Sequence, residues 1–314
     1  MYYQVLSDEA RVVHPGTARK NAFDAHHLEV RMFHGGQGEC ILLVFPGNKC
    51  WLVDCGQGTG DRSNETLAAN VVTYLENNGL HLDAIIPTHP HSDHAKAFTT
   101  ILAAPSPNIT KPLTIYRSND PGWFDPDKKW LAPYRSAAAF WGVDNVLEDE
   151  RIQESIAPGI SAHLFAGSSG RRSYISVFLQ LRFHGARILF TGDAYKSYER
   201  DLRDGFGTEF FGADVLKVTH HGSEHGTDEG VLRDTLPGIA IASTGYDGGH
   251  RLEDDTRDRI KAGGPRVRVF ETFRDQKQQE NKRDIILTTD GQPINGAGIL
   301  YRVRQVAPEF GARL

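Results

Sequence analysis

Residues 88–94 read Thr-His-Pro-His-Ser-Asp-His, so His89, His91, Asp93 and His94 place four metal-competent side chains within six positions. Three imidazoles and a carboxylate brought together in a protein need a compensating cation, because each desolvated polar group otherwise lacks a partner. Imidazole nitrogen and carboxylate oxygen suit zinc, and also manganese or iron. His89 and His91, two apart on an extended loop, point the same way. Asp93 and His94 begin the next element and face a second position, so the spacing predicts two adjacent divalent metals. More polar groups arrive at the ends of apolar segments: Gly192-Asp193 after RILFT, and His220-His221-Gly222 after DVLKVT. A metal lowers the pKa of its bound water towards 7, which supplies hydroxide at neutral pH without a nucleophilic side chain.

The surrounding elements must deliver these groups. From Leu28 the pattern is strand-like, LEVRMF, CILLVF and CWLVD, separated by GGQGE and the turn Pro46-Gly47-Asn48. Leu67, Val71, Val72, Tyr74 and Leu75 fall at helical spacing over 64–78, with Ser63 as N-cap and Gly79 as the glycine that ends the helix. DAIIPT (83–88) reads as the short strand that leads into the histidine loop, and DHAKAFTTILAA as the helix that leaves it, stopped by Pro105. The stretch 117–145 is rich in Trp, Pro and charge and reads as an inserted subregion with one helix near SAAAFWG. Its aromatics Trp123, Phe124, Trp130, Tyr134 and Trp141 either pack the insertion on itself or line a substrate rim. YISVFLQLRF (174–183) turns at His184-Gly185 into RILFT (187–191), a hairpin. Helices near 195–203, 228–236 and 252–261 then alternate with the strands DVLKVT, GIAIAS and RVRVFE, and DIILTT follows as a last strand. Residues 1–27 carry little periodicity and read as an N-terminal leader to a single domain, 28–314. Runs of strands with interspersed helices predict two mixed sheets face to face, with helices covering the outside.

Composition sets limits on partners. The 314 residues hold 35 Lys and Arg against 40 Asp and Glu, a net charge of −5 with His neutral, and 39% are hydrophobic. That fraction excludes global disorder, and 32 glycines favour loop-borne function over a helical bundle. The acidic balance gives no global attraction to nucleic acid or an anionic membrane, so a phosphate substrate needs a local positive site. No apolar run approaches the ~18–20 residues of a membrane span, and the start lacks the pattern of a secretory signal; the expected location is cytoplasmic, away from any membrane. Cys40, Cys50 and Cys55 are too few to staple a domain and read as buried reduced thiols on strands.

Taken in order, GGQGECILLVF, WLVDCG, THPHSDH, ILFTGDA with a following Glu199, ADVLKVTHHGS and IASTGYDGGH resemble the metallo-β-lactamase superfamily over about residues 28–303. Within it they look most like the hydrolase domain of the ComEC-type DNA-uptake proteins and its free-standing relatives. The resemblance implies an α/β fold, a four-layer αββα sandwich of two mixed β-sheets with outer helices. It implies that His89 and His91 bind one metal, that Asp93, His94 and His221 bind the second, and that Asp193 bridges them. His220 would face the substrate's anionic oxygen, since neighbouring strand residues point to opposite sides. Asp54 would orient a ligand imidazole through its other ring nitrogen. His250 stands where relatives often carry His-Pro near the site, with Arg251 in place of the proline. The implied catalytic set is Asp93, Asp193, His220 and His250. Many members carry a further metal-binding histidine before the bridging Asp, yet His163 lies inside an expected strand and His184 in a hairpin turn. ComEC-like members tend to lack that ligand, so the first metal is expected to be held less tightly.

Three activities fit such a site. The resemblance favours a metal-dependent hydrolase whose metal-activated hydroxide cleaves a phosphodiester, as a nuclease or a small-molecule phosphodiesterase. The expected cofactors are two divalent metal ions, zinc first, with manganese or iron as alternatives. The expected partner is a small-molecule or oligonucleotide phosphodiester; no basic stripe marks a polymer track, although Arg171-Arg172 extends the local positive field. The second activity directs the same hydroxide at a carboxylic ester, lactone, lactam or thioester. The third is a non-hydrolytic metal-bearing scaffold or an iron redox protein. Di-iron redox relatives usually put Glu where this chain has His91, and retention of the main ligands argues against a scaffold.

Overall fold

The computed structural model describes residues 4–6 as a strand and residues 26–58, 63–103, 106–167, 175–245, 251–263, 267–273, 283–292 and 299–306. His250, Arg171, Arg172 and most of the 1–27 leader lie outside the described residues.

Strand alternation builds two mixed sheets. The first contains β1 (Gln4–Leu6), β2 (Leu28–Met32), β3 (Cys40–Val44), β4 (Lys49–Cys55), β5 (His81–Ile86), β6 (Ile109–Ser118), β7 (Gly142–Leu147), β15 (Asp284–Thr289) and β16 (Leu300–Val306). Their order is β1-β16-β15-β2-β3-β4-β5-β6-β7. The second contains β8 (Glu150–Ala157), β9 (Ile160–Ala166), β10 (Phe178–Phe183), β11 (Ala186–Phe190), β12 (Val215–Lys217), β13 (Ile239–Ala242) and β14 (Arg268–Glu271), ordered β14-β13-β12-β11-β10-β9-β8. Side chains of period two send Leu179, Leu181 and Phe183 of β10 into the core between the sheets, where they join Leu43, Val53, Ile86, Ile188 and Val215, while Phe178 points to the outer face.

Helices cover both outer faces. α1 (Asn64–Asn78), α2 (Ser92–Ala103) and α3 (Leu131–Trp141) bury Leu67, Val71, Phe98, Ile101 and Tyr134 on the first sheet. α4 (Lys196–Phe206), α5 (Glu229–Thr235) and α6 (Asp254–Gly263) bury Tyr198, Leu202, Val231 and Ile260 on the second. The result is a four-layer αββα sandwich. Ser63 caps α1 by accepting from the Thr66 amide, and Gly79 ends it in the left-handed region at φ 61°. Among the described residues no helix is long and apolar enough to cross a membrane. Cys40, Cys50 and Cys55 are free and buried on β3 and β4, with the Cys40 and Cys55 sulfurs 3.2 Å apart.

Residues 117–145 hold the end of β6, a 3-10 turn (Pro121–Phe124), α3 and the start of β7. β7 runs parallel to β6, which makes α3 a crossover helix at the sheet edge. Trp123 and Tyr134 are buried there and stack with ring centroids 5.6 Å apart, and Tyr134 reaches Phe98 of α2.

The start of α2 is held by backbone at close quarters. The Glu39 amide donates to the Asp93 carbonyl at 2.9 Å, and the Gly56 amide donates to the Glu39 carbonyl at 3.0 Å. A Cβ on Gly56 would lie 2.5 Å from the His94 nitrogen and 2.5 Å from the Ser92 oxygen, both backbone atoms. Only a glycine at the end of β4 lets α2 approach this closely. Gly56→Ala is therefore expected to destabilise the fold by about 2 kcal/mol, the overpacking range, and to push the Asp93–His94 turn outward. Urea unfolding measures the first effect and metal binding by titration the second; a variant unchanged in both would contradict this packing.

Candidate metal centre

Each ligand-type side chain sits where an apolar strand has just ended. β5 stops at Ile86 and the chain enters the loop with His89 and His91; Asp93 and His94 follow in the first turn of α2. Asp193 comes three residues after β11 ends at Phe190, reached through Gly192 at φ 52°. A Cβ on Gly192 would lie 2.8 Å from Ser176 Oγ and 2.9 Å from Thr88 Oγ1, so this turn requires glycine. The Asp193 amide donates to Ser176 Oγ at 3.1 Å.

The histidine pair departs from the expected strand. β12 ends at Lys217, and Thr219–Gly222 form a 3-10 turn in which His220 and His221 have φ of 53° and 55°. Strand alternation therefore does not separate the two rings; consecutive left-handed residues do. Glu199 of α4 braces this turn, accepting from Thr219 Oγ1 at 2.6 Å and from the Thr227 and Asp228 amides at 3.3 and 2.6 Å. Burial pushes the Glu199 carboxyl up to about 7.

Asp93, His94, Asp193 and His221 converge, each offering one ligand atom within 4.8 Å of the others. His94 Nε2 lies 3.0 Å from Asp193 Oδ2 and 3.1 Å from His221 Nε2. His221 Nε2 lies 3.2 Å from Asp193 Oδ2 and 3.8 Å from Asp93 Oδ2. His89 and His91 adjoin this group, with His89 Nε2 2.9 Å from His91 Nδ1 and the His89 ring centroid 4.2 Å from that of His94. His220 stands further out. Its Nε2 is 3.9 Å from Asp193 Oδ2, its ring stacks on Tyr195 at 5.3 Å, and burial lowers its pKa, which favours the neutral ring.

The opposite ring nitrogens are tied down. His94 Nδ1 meets Asp54 Oδ2 at 2.8 Å, and Asp54 in turn accepts from the Thr88 amide and hydroxyl at 2.7 and 2.8 Å. His221 Nδ1 meets Ser243 Oγ at 2.9 Å. Holding the outer nitrogens turns both Nε2 atoms to one common point, the arrangement that orients imidazoles on a metal.

The donor set fits a divalent cation. Asp193 Oδ1 is buried without a hydrogen-bond partner, and two imidazole Nε2 atoms face each other where at most one proton fits between them. Burial acts against a charge on His94, yet Asp193 and Asp54 outweigh it and hold its pKa well above the usual histidine range. A point that stabilises positive charge between carboxylates suits a metal held by imidazole nitrogen and carboxylate oxygen.

Two residues of this centre escaped the sequence reading. Lys217 and Glu39 are both fully buried and form an ion pair directly beneath the cluster. Lys217 Nζ also donates to the Gly192 carbonyl at 3.1 Å and lies 3.7 Å from Asp193 Oδ1. Glu39 Oε2 accepts from Ser243 Oγ at 3.2 Å, which links the pair to His221. Their signal was present: a charged residue inside the apolar run DVLKV, and another directly before CILLV. His163 packs on the outer face of β9 against Phe210, 5.7 Å between ring centroids, and His184 is exposed in the β10–β11 turn; neither joins the cluster.

The chain resembles proteins of known sequence over most of this region. It is 28% identical over 214 residues to Recombination protein 2 of Haemophilus influenzae, covering 67% of this chain and 23% of that protein. It is 28% identical over 234 residues to ComE operon protein 3 of Bacillus subtilis, covering 69% of this chain and 28% of that one. The chain thus spans about a quarter of the length of these curated relatives. Among solved structures it is similar to the metallo-beta-lactamase fold protein YhfI from Bacillus subtilis, at 15% identity and a TM-score of 0.49 over 77% of this chain and 96% of that one. It is also similar to the short form of human tRNase Z, at 17% identity and a TM-score of 0.44 over 68% and 92%. The sequence model of the metallo-beta-lactamase superfamily matches residues 35–270, a span that runs from the glycine turn before β3 to β14 and contains the whole donor cluster. By that match the chain belongs to the metallo-beta-lactamase superfamily.

Proposed function

We propose that this chain is a metal-dependent hydrolase that cleaves phosphodiesters. The observation that carries the reading is the convergence of Asp93, His94, Asp193 and His221 with their outer nitrogens fixed by Asp54 and Ser243. The substrate class is supported by the motif resemblance to DNA-uptake proteins and by relatives named for recombination and competence. Asp93, His94, Asp193 and His221 would hold a divalent metal, which when bound would supply hydroxide at neutral pH and polarise a phosphoryl oxygen.

The protein's own groups do the remainder. Burial opposes charge on Asp193, but His221 and His94 outweigh it and hold the carboxyl well below the usual carboxylate range, so it is ionised. Its Oδ2 would accept a hydrogen bond from the attacking hydroxide and relay that proton to the oxygen that departs when the phosphorus–oxygen bond breaks. His89 and His94 are fully buried, which keeps bulk water from the protein side of the cluster, whereas the Asp93 and His220 side chains are 21% and 22% exposed and mark the open face. From that face His220 Nε2, braced on Tyr195, donates to the substrate oxygen on which charge grows.

The test is a parallel assay of a bis-aryl phosphodiester, an aryl ester and a lactone with the zinc-, manganese- and iron-loaded protein. The expected protein holds about one to two equivalents of metal and turns over the phosphodiester fastest. Preference for the ester or lactone would replace the substrate class, and full metal loading without turnover of any probe would remove the hydrolase reading.

A further inference from the structure

A cation stands at the lip of the donor cluster. The segment between the Pro121–Phe124 turn and α3 folds back over the histidine loop, and Lys128 Nζ donates to the Pro90 carbonyl at 2.8 Å across 38 positions of sequence. The approach is close: a Cβ on Gly122 would lie 2.9 Å from Asp120 Oδ1, 2.9 Å from Pro90 Cγ and 3.4 Å from Lys128 Nζ. Pro90 lies between His89 and His91, so the ammonium is held against the loop that carries the two neutral ligands.

Lys128 is half-buried, and among the described residues its one hydrogen-bonded partner is a carbonyl, with no carboxylate paired to it. Arg117, Arg203 and Arg257 pair with Asp144, Asp234 and Glu271, whereas Arg135 and Arg259, like Lys128, donate to backbone carbonyls; what sets Lys128 apart is its place against the histidine loop. A partly desolvated ammonium that is not ion-paired favours an incoming anion. Asp120 is the carboxylate of the same turn, its Oδ1 accepting from the Gly122 amide at 2.7 Å, and Lys128 is the ammonium set against the Pro90 side of the histidine loop.

We propose that Lys128 is the anion anchor of the site and selects substrates that carry a negative charge beside the scissile bond, a phosphodiester rather than a neutral ester or lactone. This rests on the hydrolase reading above and narrows it. Lys128 holds a non-bridging phosphoryl oxygen at the His91 side while the reacting centre faces Asp193 and His220. It acts in binding, before the chemical step, so its removal raises KM and spares kcat.

The experiment compares the metal-loaded wild type with Lys128→Met, Lys128→Arg and, as a control, Lys129→Met, whose lysine is the exposed neighbour. Inorganic phosphate is titrated by calorimetry, and a bis-aryl phosphodiester and a neutral aryl ester are assayed alongside. Lys128→Met is expected to weaken phosphate binding and raise the phosphodiester KM by about tenfold, the worth of one charge-assisted hydrogen bond. Metal content, kcat and the ester rate stay near wild type, Lys128→Arg retains most of the affinity, and Lys129→Met changes nothing. Unchanged phosphate affinity in Lys128→Met overturns the anchor, as does an equal loss on the charged and neutral probes. The phosphate titration reads the anchor by itself, so an absence of phosphodiester turnover removes the proposed activity without deciding the role of Lys128. A Lys128→Met protein that fails to fold leaves the decision to Lys128→Arg and a Lys128→Gln variant read by the same titration.

Discussion

Asp193→Asn is expected to lower phosphodiester turnover by about a thousandfold or more and to reduce bound metal, while the protein still unfolds cooperatively near the wild-type midpoint. The size of the effect follows from where the carboxylate sits. Its Oδ2 is the shared neighbour of His94 at 3.0 Å, His221 at 3.2 Å and His220 at 3.9 Å, so one charge serves every imidazole at the centre of the cluster. An amide keeps the shape and removes that charge together with the proton acceptor. The fold survives because Lys217, 3.7 Å from Asp193 Oδ1, keeps its pair with Glu39, and because Asp193 Oδ1 makes no hydrogen bond that the amide would forfeit. Metal analysis, circular dichroism and the phosphodiester assay read the three parts of this outcome. Wild-type turnover in a fully loaded Asp193→Asn protein would show that the reacting centre lies elsewhere.

How much of this site could be read from sequence depends on whether its members are marked by local spacing or by long-range contact. His89, His91, Asp93 and His94 share one loop, and residue type alone marks them. Asp193 and His221 follow apolar runs that a period-two pattern identifies. Asp54 was legible for the same reason, at the end of CWLVD, and it meets His94 across 40 positions. The Glu39–Lys217 pair joins the residue before β3 of one sheet to β12 of the other, a contact that no local pattern encodes. Lys128 is equally remote from Pro90. The course of the chain through Thr219–Gly222 was misjudged because DVLKVT continues the strand pattern past Lys217, whereas the backbone turns left-handed at two histidines with only Gly222 to announce it. In the fold, β1, β6, β7, β8 and β16 stand beyond the strands that the sequence pattern predicts. The exposed positions of β6, β7 and β8 carry many polar and charged residues, and β7 and β8 lie at sheet edges, where apolar alternation is weakest.

Lys217→Met is expected to destabilise the protein by about 3–5 kcal/mol, the penalty for leaving one member of a buried pair without its partner. Burial alone would strip the proton from Lys217, but Glu39, Asp193 and Asp54 outweigh it and hold the ammonium above the ordinary lysine range. Methionine matches the length of the stem and fills the space, so the loss reports charge and not a cavity. Glu39 then keeps only Ser243 and is otherwise an uncompensated carboxylate at 0% exposure. Removing both charges tests this directly: Glu39→Gln combined with Lys217→Met is expected to be more stable than Lys217→Met alone, with a coupling between the two changes of about 2 kcal/mol or more. Urea unfolding of the wild type, the two single variants and the double variant gives that coupling. Metal titration separates support of the fold from support of the cluster, because the double variant regains stability without regaining the cation 3.7 Å from Asp193 Oδ1. Two single changes whose effects merely add, or a Lys217→Met protein as stable as wild type, would mean that the pair contributes no coupled charge beneath the metal ligands.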